Sequence, residues 1–222
     1  MNFYSWILAA RPKTLIASIA TVICSILILP NNHFVDFPVF VATLFSAILI
    51  QVGTNFINDL YDYKKGADSN NRVGPERMVQ SGRLSEYKIK IGIIIVFSLA
   101  LIFGVYLSFI CDWPEIKWPI ILIGLSSFLF GYLYTAGKYS LAYLGLGELF
   151  VFLYFGIIAV AGSYYLQTDE FFTISSLLMG LIMGCSNIIL LAVNNIRDYH
   201  NDKLSNKQTL VVKYGQLFGK VE

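Results

Sequence analysis

The stretch from Pro38 to Ile57 reads PVFVATLFSAILIQVGTNFI, and the next five residues are Asn58-Asp59-Leu60-Tyr61-Asp62. An α-helix needs about 20 apolar residues to cross the hydrocarbon core of a bilayer, and this run carries no charge over that length. Polar residues begin where the crossing would end. A second long apolar run, Phe171 to Val193, leads into Asp198-Tyr199-His200-Asn201-Asp202, so the two acidic signatures lie 140 residues apart.

Six stretches fit the template of a membrane span: Thr14 to Leu29, Pro38 to Ile57, Ile91 to Ile110, Pro119 to Thr135, Leu141 to Leu166 and Phe171 to Val193. Of 222 residues, 56% are hydrophobic and 14% charged, and the mean hydropathy is +0.65. The bilayer is therefore the main solvent and partner of this chain. The predicted fold class is all-α, a polytopic transmembrane helical bundle. Arg11 and Lys13 before the first span give it a likeness to a secretory signal, but no small-residue cleavage site follows and five more spans do. A net charge of +2, with no basic stripe interleaved with aromatics, argues against nucleic acid. Three cysteines, Cys24, Cys111 and Cys185, have no CxxC or His/Cys spacing and predict neither disulfides nor zinc.

Lys and Arg accumulate in cytoplasmic loops. Of the 16 here, Arg11 and Lys13 precede the first span, seven follow the second (Lys64, Lys65, Arg72, Arg77, Arg83, Lys88, Lys90), Lys138 follows the fourth, and five follow the sixth (Arg197, Lys203, Lys207, Lys213, Lys220). Lys117 alone falls on the other side. This bias predicts a cytoplasmic N-terminus and puts both acidic signatures at the cytoplasmic face, where they can meet.

Setting Asn55-Phe-Ile-Asn-Asp59 against Asn194-Asn-Ile-Arg-Asp198 gives a shared skeleton at an offset of 139. A repeated unit is the natural reading. Residues 1–140 would form a first four-helix unit and 141–222 an incomplete second, within a single transmembrane domain that stops before its second half is finished.

Residues four apart share a helix face, so Asn58 with Asp62, and Asp198 with Asp202, can each aim oxygen ligands at a common point. Asp59 adds a further carboxylate. Hard oxygen ligands suit magnesium, which keeps several waters and is shared between carboxylates and substrate phosphates. Diphosphate is the natural third party. The carboxylates also sit near helix C-termini, where the macrodipole disfavours an anion by roughly 0.3–1 kcal/mol, so cations are expected beside them. Solvated loop charges paired with nearby lysines are the plainer reading, but they explain neither the duplication nor the helix ends.

Arg72, Arg77 and Arg197 are candidate diphosphate clamps, since guanidinium matches phosphate oxygens bidentately. Positive-inside charge explains them equally well, and it is the preferred reading for Lys64, Lys65, Lys88 and Lys90. Tyr134 and Lys138, four apart after the fourth span, can point together into the cytoplasmic mouth. Glu148 is ionisable within an apolar segment, so it faces a cavity or is hydrogen-bonded between helices. Gln51, Thr54 and Asn55 approach the first signature from within the second span, either lining the same cavity or bonding between helices. Asn194 stands in Asn55's place in the repeat. His33 and His200 lack metal-ligand spacing and receive no role.

Asn58-Asp-x-x-Asp62, Asp198-x-x-x-Asp202 and Tyr134-x-x-x-Lys138 together resemble the UbiA-type intramembrane aromatic prenyltransferases. Within that family, the run from Asn58 to Asp68, Arg72-Val-Gly-Pro-Glu-Arg77, Ser81-Gly82 and Tyr143-Leu-Gly-Leu-Gly-Glu148 look most like the 1,4-dihydroxy-2-naphthoate polyprenyltransferases of menaquinone synthesis. The resemblance runs along essentially the whole chain. It implies nine transmembrane helices around a cavity open to lipid, of which six are visible here, in the bacterial cytoplasmic (inner) membrane with the active site toward the cytoplasm.

The resemblance also implies that Asn58, Asp59, Asp62, Asp198 and Asp202 hold two Mg2+ ions on the diphosphate of a polyprenyl donor. Asp62, Asp198, Asp202 and Lys138 would be catalytic. Asn55, Arg72, Arg77, Tyr134, Lys138, Glu148, Asn194 and Arg197 would bind substrates. Departure of diphosphate leaves an allylic cation, which the aromatic acid attacks with loss of its carboxylate, giving demethylmenaquinone. Asp68 lies six residues beyond Asp62, where many relatives place the acid four residues on, so its role is secondary. Two alternatives stand beside this: another acceptor (4-hydroxybenzoate, homogentisate or haem), or a cation transporter. The latter expects acidic residues near the bilayer midplane, whereas these lie at span ends.

Overall fold

Arg11 breaks the first apolar segment in two. The computed structural model describes residues 3–68, 74–109 and 117–221. Arg72, Cys111 and the predicted span end at Ile110 lie outside the described residues. Helix α1 (Phe3–Ala10) and helix α2 (Pro12–Leu27) meet at 52°, with Arg11 between them at φ 52. Pro12 cannot donate to the preceding turn, and it pushes the residue before it out of the helical region. Asn55 takes up the freed groups, its Nδ2 donating to the Ala10 carbonyl at 2.9 Å and to Thr14 Oγ1 at 3.0 Å.

Helix α3 (Phe37–Lys64) opens on Asp36, whose carboxylate accepts from Val39 N at 3.0 Å. It runs beyond the predicted span end at Ile57, so Asn58, Asp59 and Asp62 stand on helical turns. Helix α4 (Glu86–Phe109) packs along α3, with the Phe97 ring seated on Gly53, where a Cβ would lie 2.0 Å from the ring. Helix α5 (Trp118–Leu133) follows. The predicted fifth span does not begin at Leu141. Leu141–Leu144 is a separate short helix, α6, closed by Gly145 at φ 77, and the long segment starts with α7 (Gly147–Phe152), passes through a π-helical turn at Leu153–Ile158 and continues as α8 (Ala159–Thr168). Helix α9 (Ile174–Leu204) carries the second signature, and α10 (Leu210–Tyr214) and α11 (Gln216–Val221) fold back against it.

Among the described residues, α3, α4, α7 through α8, and α9 are long and apolar enough to cross a bilayer, and the bent α1–α2 pair makes a fifth such stretch. Helix α5 is apolar but has only 16 residues.

A π-helical turn frees backbone carbonyls from the helical ladder, and in lipid they must find other donors. The Phe155 carbonyl finds two, Thr21 Oγ1 at 2.9 Å from α2 and Asn187 Nδ2 at 3.1 Å from α9. Beside it, Gly156 meets Gly180 and Gly184 so closely that a Cβ on Gly156 would lie 2.5 Å from Gly184 Cα. Small residues four apart let helix backbones touch, the main route to packing where lipid removes the hydrophobic drive. At the end of the bundle remote from the signatures, Lys117 pairs with Asp169, and Asp36 and Gln167 exchange hydrogen bonds of 2.9 and 3.2 Å.

Candidate metal-diphosphate site

Helices α3 and α9 end in the same way. Lys65 N bonds Tyr61 O at 3.0 Å, Gly66 N bonds Tyr63 O at 3.0 Å, and Ala67 N bonds Asp62 O at 2.9 Å, with Gly66 at φ 70. In α9, Ser205 N bonds Asn201 O at 3.1 Å, Asn206 N bonds Lys203 O at 3.4 Å, and Lys207 N bonds Asp202 O at 2.9 Å, with Asn206 at φ 55. A left-handed residue just past the last turn lets the chain satisfy the open carbonyls. Glycine takes that conformation freely, and asparagine is among the few others that tolerate it.

These matched ends set the local register at 140 rather than the 139 of the sequence alignment. Asn55 then corresponds to Asn195, Asn58 to Asp198 and Asp62 to Asp202. Asn194 is displaced from the role its alignment suggested: its amide bonds Leu190 O of its own helix at 3.0 Å. Asn195 is the buried one, donating to Glu148 Oε1 at 2.8 Å.

The two signatures meet at Lys207. Its Nζ lies 4.0 Å from Asp62 Oδ2 and 3.6 Å from Asp202 Oδ1, and both carboxylates are 3% exposed. Arg77 Nη2 stands 3.5 Å from Asp62 Oδ2, while Arg77 Nε is 3.4 Å from Asp68 Oδ1. The Tyr143 hydroxyl donates to Asp62 Oδ1 at 3.0 Å. Burial, and then the charge of Asp62, push its phenol above the ordinary range, so it stays a neutral donor. Lys65 lies 4.1 Å from the Tyr143 ring centroid and donates to Ser140 Oγ at 2.5 Å. Burial lowers its amine against the pull of Asp62 in the other direction. Asn201 Nδ2 donates to the Ala67 carbonyl, tying one acidic loop to the other. The cations that the helix-end argument calls for are thus Arg77, Lys207 and Lys65.

The other candidates are spent differently. Asp59 accepts from Met78 N at 3.0 Å and Val79 N at 3.3 Å, pinning the 74–85 segment rather than facing Asp202. Asn58 Oδ1 accepts from Thr135 Oγ1. Asp198 is held by its neighbour Arg197 through two bonds of 2.9 and 2.8 Å. Asn55 serves the α1–α2 break. Tyr134 puts its hydroxyl beside Gly147, and Lys138 is exposed, 5.4 Å over the Tyr139 ring. Of the two readings of Glu148, the bond between helices is the one observed: it joins α7 to Asn195 of α9 and also takes the Leu210 amide at the start of α10. Sequence reasoning missed Lys65, Tyr143 and Lys207. Tyr143 belonged to a quoted motif, and Lys207 follows a helix-end signal, yet only the folded chain brings them to Asp62.

Among the described residues, no three Asp, Glu, His or Cys side chains converge as a ready metal cage. The donor set still fits magnesium, which uses one or two carboxylates and completes its shell with water and phosphate oxygens. Asp62 and Asp202 already bracket one positive charge.

The profile of the UbiA prenyltransferase family matches residues 18–221. Curated relatives named 1,4-dihydroxy-2-naphthoate octaprenyltransferase include that of Haemophilus influenzae (32% identical over 97% of this chain and 71% of that one), that of Bacillus subtilis (34%, over 92% and 64%) and that of Escherichia coli (32%, over 96% and 69%). The chain thus spans about two thirds of the length of these relatives. Its fold is similar to a solved structure of digeranylgeranylglyceryl phosphate synthase, at TM-score 0.63 and 21% identity over 98% of this chain and 72% of that one. It is also similar to a UbiA homologue from Archaeoglobus fulgidus bound to DMAPP and Mg2+, at TM-score 0.63 and 16% identity over 97% of this chain and 71% of that one.

Proposed function

The chain belongs to the UbiA prenyltransferase family, and from that premise we propose that it transfers a polyprenyl group from polyprenyl diphosphate to 1,4-dihydroxy-2-naphthoate, with loss of the acceptor's carboxylate as CO2 and of diphosphate, giving the reduced (quinol) form of demethylmenaquinone. The observation that carries this reading is the convergence of Asp62 and Asp202 on one cation, in a chain about a third identical to enzymes named for that acceptor.

When bound, magnesium, two ions in this reading, stabilises the charge that builds on the departing diphosphate. Asp62, Asp202 and Asp198 would hold it, the last now paired with Arg197. The Tyr143 hydroxyl fixes the Asp62 carboxylate, and Arg77 braces Asp62 against Asp68. Arg72, Arg77, Lys138 and Arg197 orient the diphosphate, with Tyr134 as a further substrate contact. Asn58, Asp59, Asn55 and Glu148 act through the positions they impose: on Thr135, on the 74–85 segment, on the α1–α2 break and on the start of α10.

The chain lies in the bacterial cytoplasmic membrane with six spans, a cytoplasmic N-terminus and the site at the cytoplasmic face. Residues 1–140 and 141–222 are two units of one repeat in a single domain. The bias of basic residues and the matched ends of α3 and α9 support that arrangement. The test is an acceptor panel. Membranes containing the protein, given polyprenyl diphosphate and magnesium, should prenylate carboxyl-labelled dihydroxynaphthoate with release of labelled CO2. Preferential prenylation of 4-hydroxybenzoate or homogentisate would overturn the acceptor assignment.

A further inference from the structure

Helix α6 is a single turn, Leu141–Leu144, and a lone turn does not hold itself: fixing its dihedrals costs more than its few hydrogen bonds return. Tyr143 stands on it. Whatever fixes the turn therefore also fixes the Tyr143 hydroxyl on Asp62 Oδ1. At its entry, Ala142 N bonds Tyr134 O at 3.0 Å, and Lys65 donates to Ser140 Oγ at 2.5 Å while lying 4.1 Å from the Tyr143 ring centroid.

The exit of the turn is held by the segment that follows the second acidic signature. The last carbonyls of a helix have no partner within it. Here the Tyr143 carbonyl accepts from Gln208 N at 3.2 Å, and the Leu144 carbonyl accepts from Lys213 Nζ at 2.7 Å, which sets a cation at the negative end of the turn. Gly145 makes room for this approach, since a Cβ there would lie 2.6 Å from Gln208 O and 2.7 Å from Lys213 Nζ. The 207–213 segment is anchored in turn: Lys207 N bonds Asp202 O at 2.9 Å, and the Leu210 amide bonds Glu148. Lys213 thus joins the helix end that carries Asp202 to the turn whose tyrosine orients Asp62.

We propose that Lys213 is a positioning residue for the metal-diphosphate site. By holding the end of α6 it keeps Tyr143 on Asp62, so an exposed lysine of α10 sets the orientation of a metal ligand on α3. This rests on the prenyltransferase reading and adds to it a residue that acts without touching metal or substrate.

The experiment titrates wild type, Lys213→Met, Lys213→Arg, Tyr143→Phe and the double variant Lys213→Met with Tyr143→Phe, purified in detergent, with Mn2+ by calorimetry. Groups that orient a metal ligand from behind are worth about tenfold or more in metal affinity. Tyr143→Phe should accordingly bind Mn2+ about tenfold weaker than wild type, and Lys213→Met, one step further back, about threefold weaker. Lys213→Arg keeps a charged donor and should bind as wild type does. The double variant should match Tyr143→Phe, because the lysine has nothing left to act through. Charge alone predicts the opposite sign, since removing a cation from the neighbourhood of carboxylates favours a divalent ion. Mn2+ affinity in Lys213→Met equal to or tighter than wild type therefore overturns the proposal, as does wild-type affinity in Tyr143→Phe. A double variant weaker than Tyr143→Phe by the full factor of Lys213→Met overturns it too, because the lysine would then act independently of the tyrosine. A wild type that binds no Mn2+ overturns the metal site itself, and the proposal with it.

Discussion

Asp59 and Asp62 stand on adjacent turns of α3, and truncating the first should harm the fold while neutralising the second should harm the chemistry. The Asp59 carboxylate is 1% exposed and accepts from Met78 N at 3.0 Å and Val79 N at 3.3 Å. The segment it holds seats Met78, Val79 and Leu84 against Ala9, Phe56, Leu60 and Ile89. In Asp59→Ala both amides lose their acceptor within an apolar shell. A buried polar group left unsatisfied costs about 1–3 kcal/mol, so the pair amounts to about 2–6 kcal/mol. That is a large part of the 5–15 kcal/mol typical of a folded domain. Asp59→Asn keeps one accepting oxygen and turns an NH2 toward the other amide, so it should fall between. Asp62→Asn removes a charge, but Arg77 retains Asp68 and Lys207 retains Asp202, and Tyr143 can still donate to the amide oxygen. Its loss of stability should be much the smaller. Unfolding midpoints in detergent would measure this. A midpoint for Asp59→Ala equal to wild type, or a larger drop for Asp62→Asn, would refute the division of labour.

Gly156→Leu should prevent the close approach of the π-helical turn to α9, since its Cβ alone would lie 2.5 Å from Gly184 Cα and 2.6 Å from Gly180 O. A loss of at least about 1–3 kcal/mol is expected from overpacking, read as a lowered unfolding midpoint. Asn187→Leu removes one of two donors to the Phe155 carbonyl and leaves Thr21, so the cost should be only about 0.6–1.7 kcal/mol by the same measurement. Tyr143→Phe removes a hydrogen bond to a carboxylate, worth about 1.5–3 kcal/mol, and should slow magnesium-dependent prenyl transfer about tenfold or more with little change in expression.

The apolar runs were legible because span length and the absence of charge are properties of continuous sequence. The asymmetry of basic residues and the four-residue spacing of Asp198 and Asp202 are equally local. The breaks were not. Pro12 hinted at the bend, but the left-handed turn at Arg11 depends on Asn55 reaching over from α3. Gly145 ends α6 at φ 77, and although glycine is a common helix stop, the apolar residues on both sides of Gly145-Leu-Gly147 let Leu141 to Leu166 read as one span. The one-residue error in the repeat arose because aligning Asp59 with Asp198 rewards identity, whereas the helix ends align Asn58 with Asp198 and Gly66 with Asn206. Asp59 reads as a ligand until Met78 and Val79 fold over it, and Lys207 reads as one more cytoplasmic charge until α9 brings it to α3. Both depend on contacts distant in the sequence.

The most direct test of the two-helix site is magnesium-dependent prenylation of dihydroxynaphthoate by wild type, Asp62→Asn and Asp202→Asn at matched amounts of folded protein. Each substitution should abolish turnover, although the two residues lie 140 positions apart. Wild-type turnover in either variant would contradict a shared metal-diphosphate site.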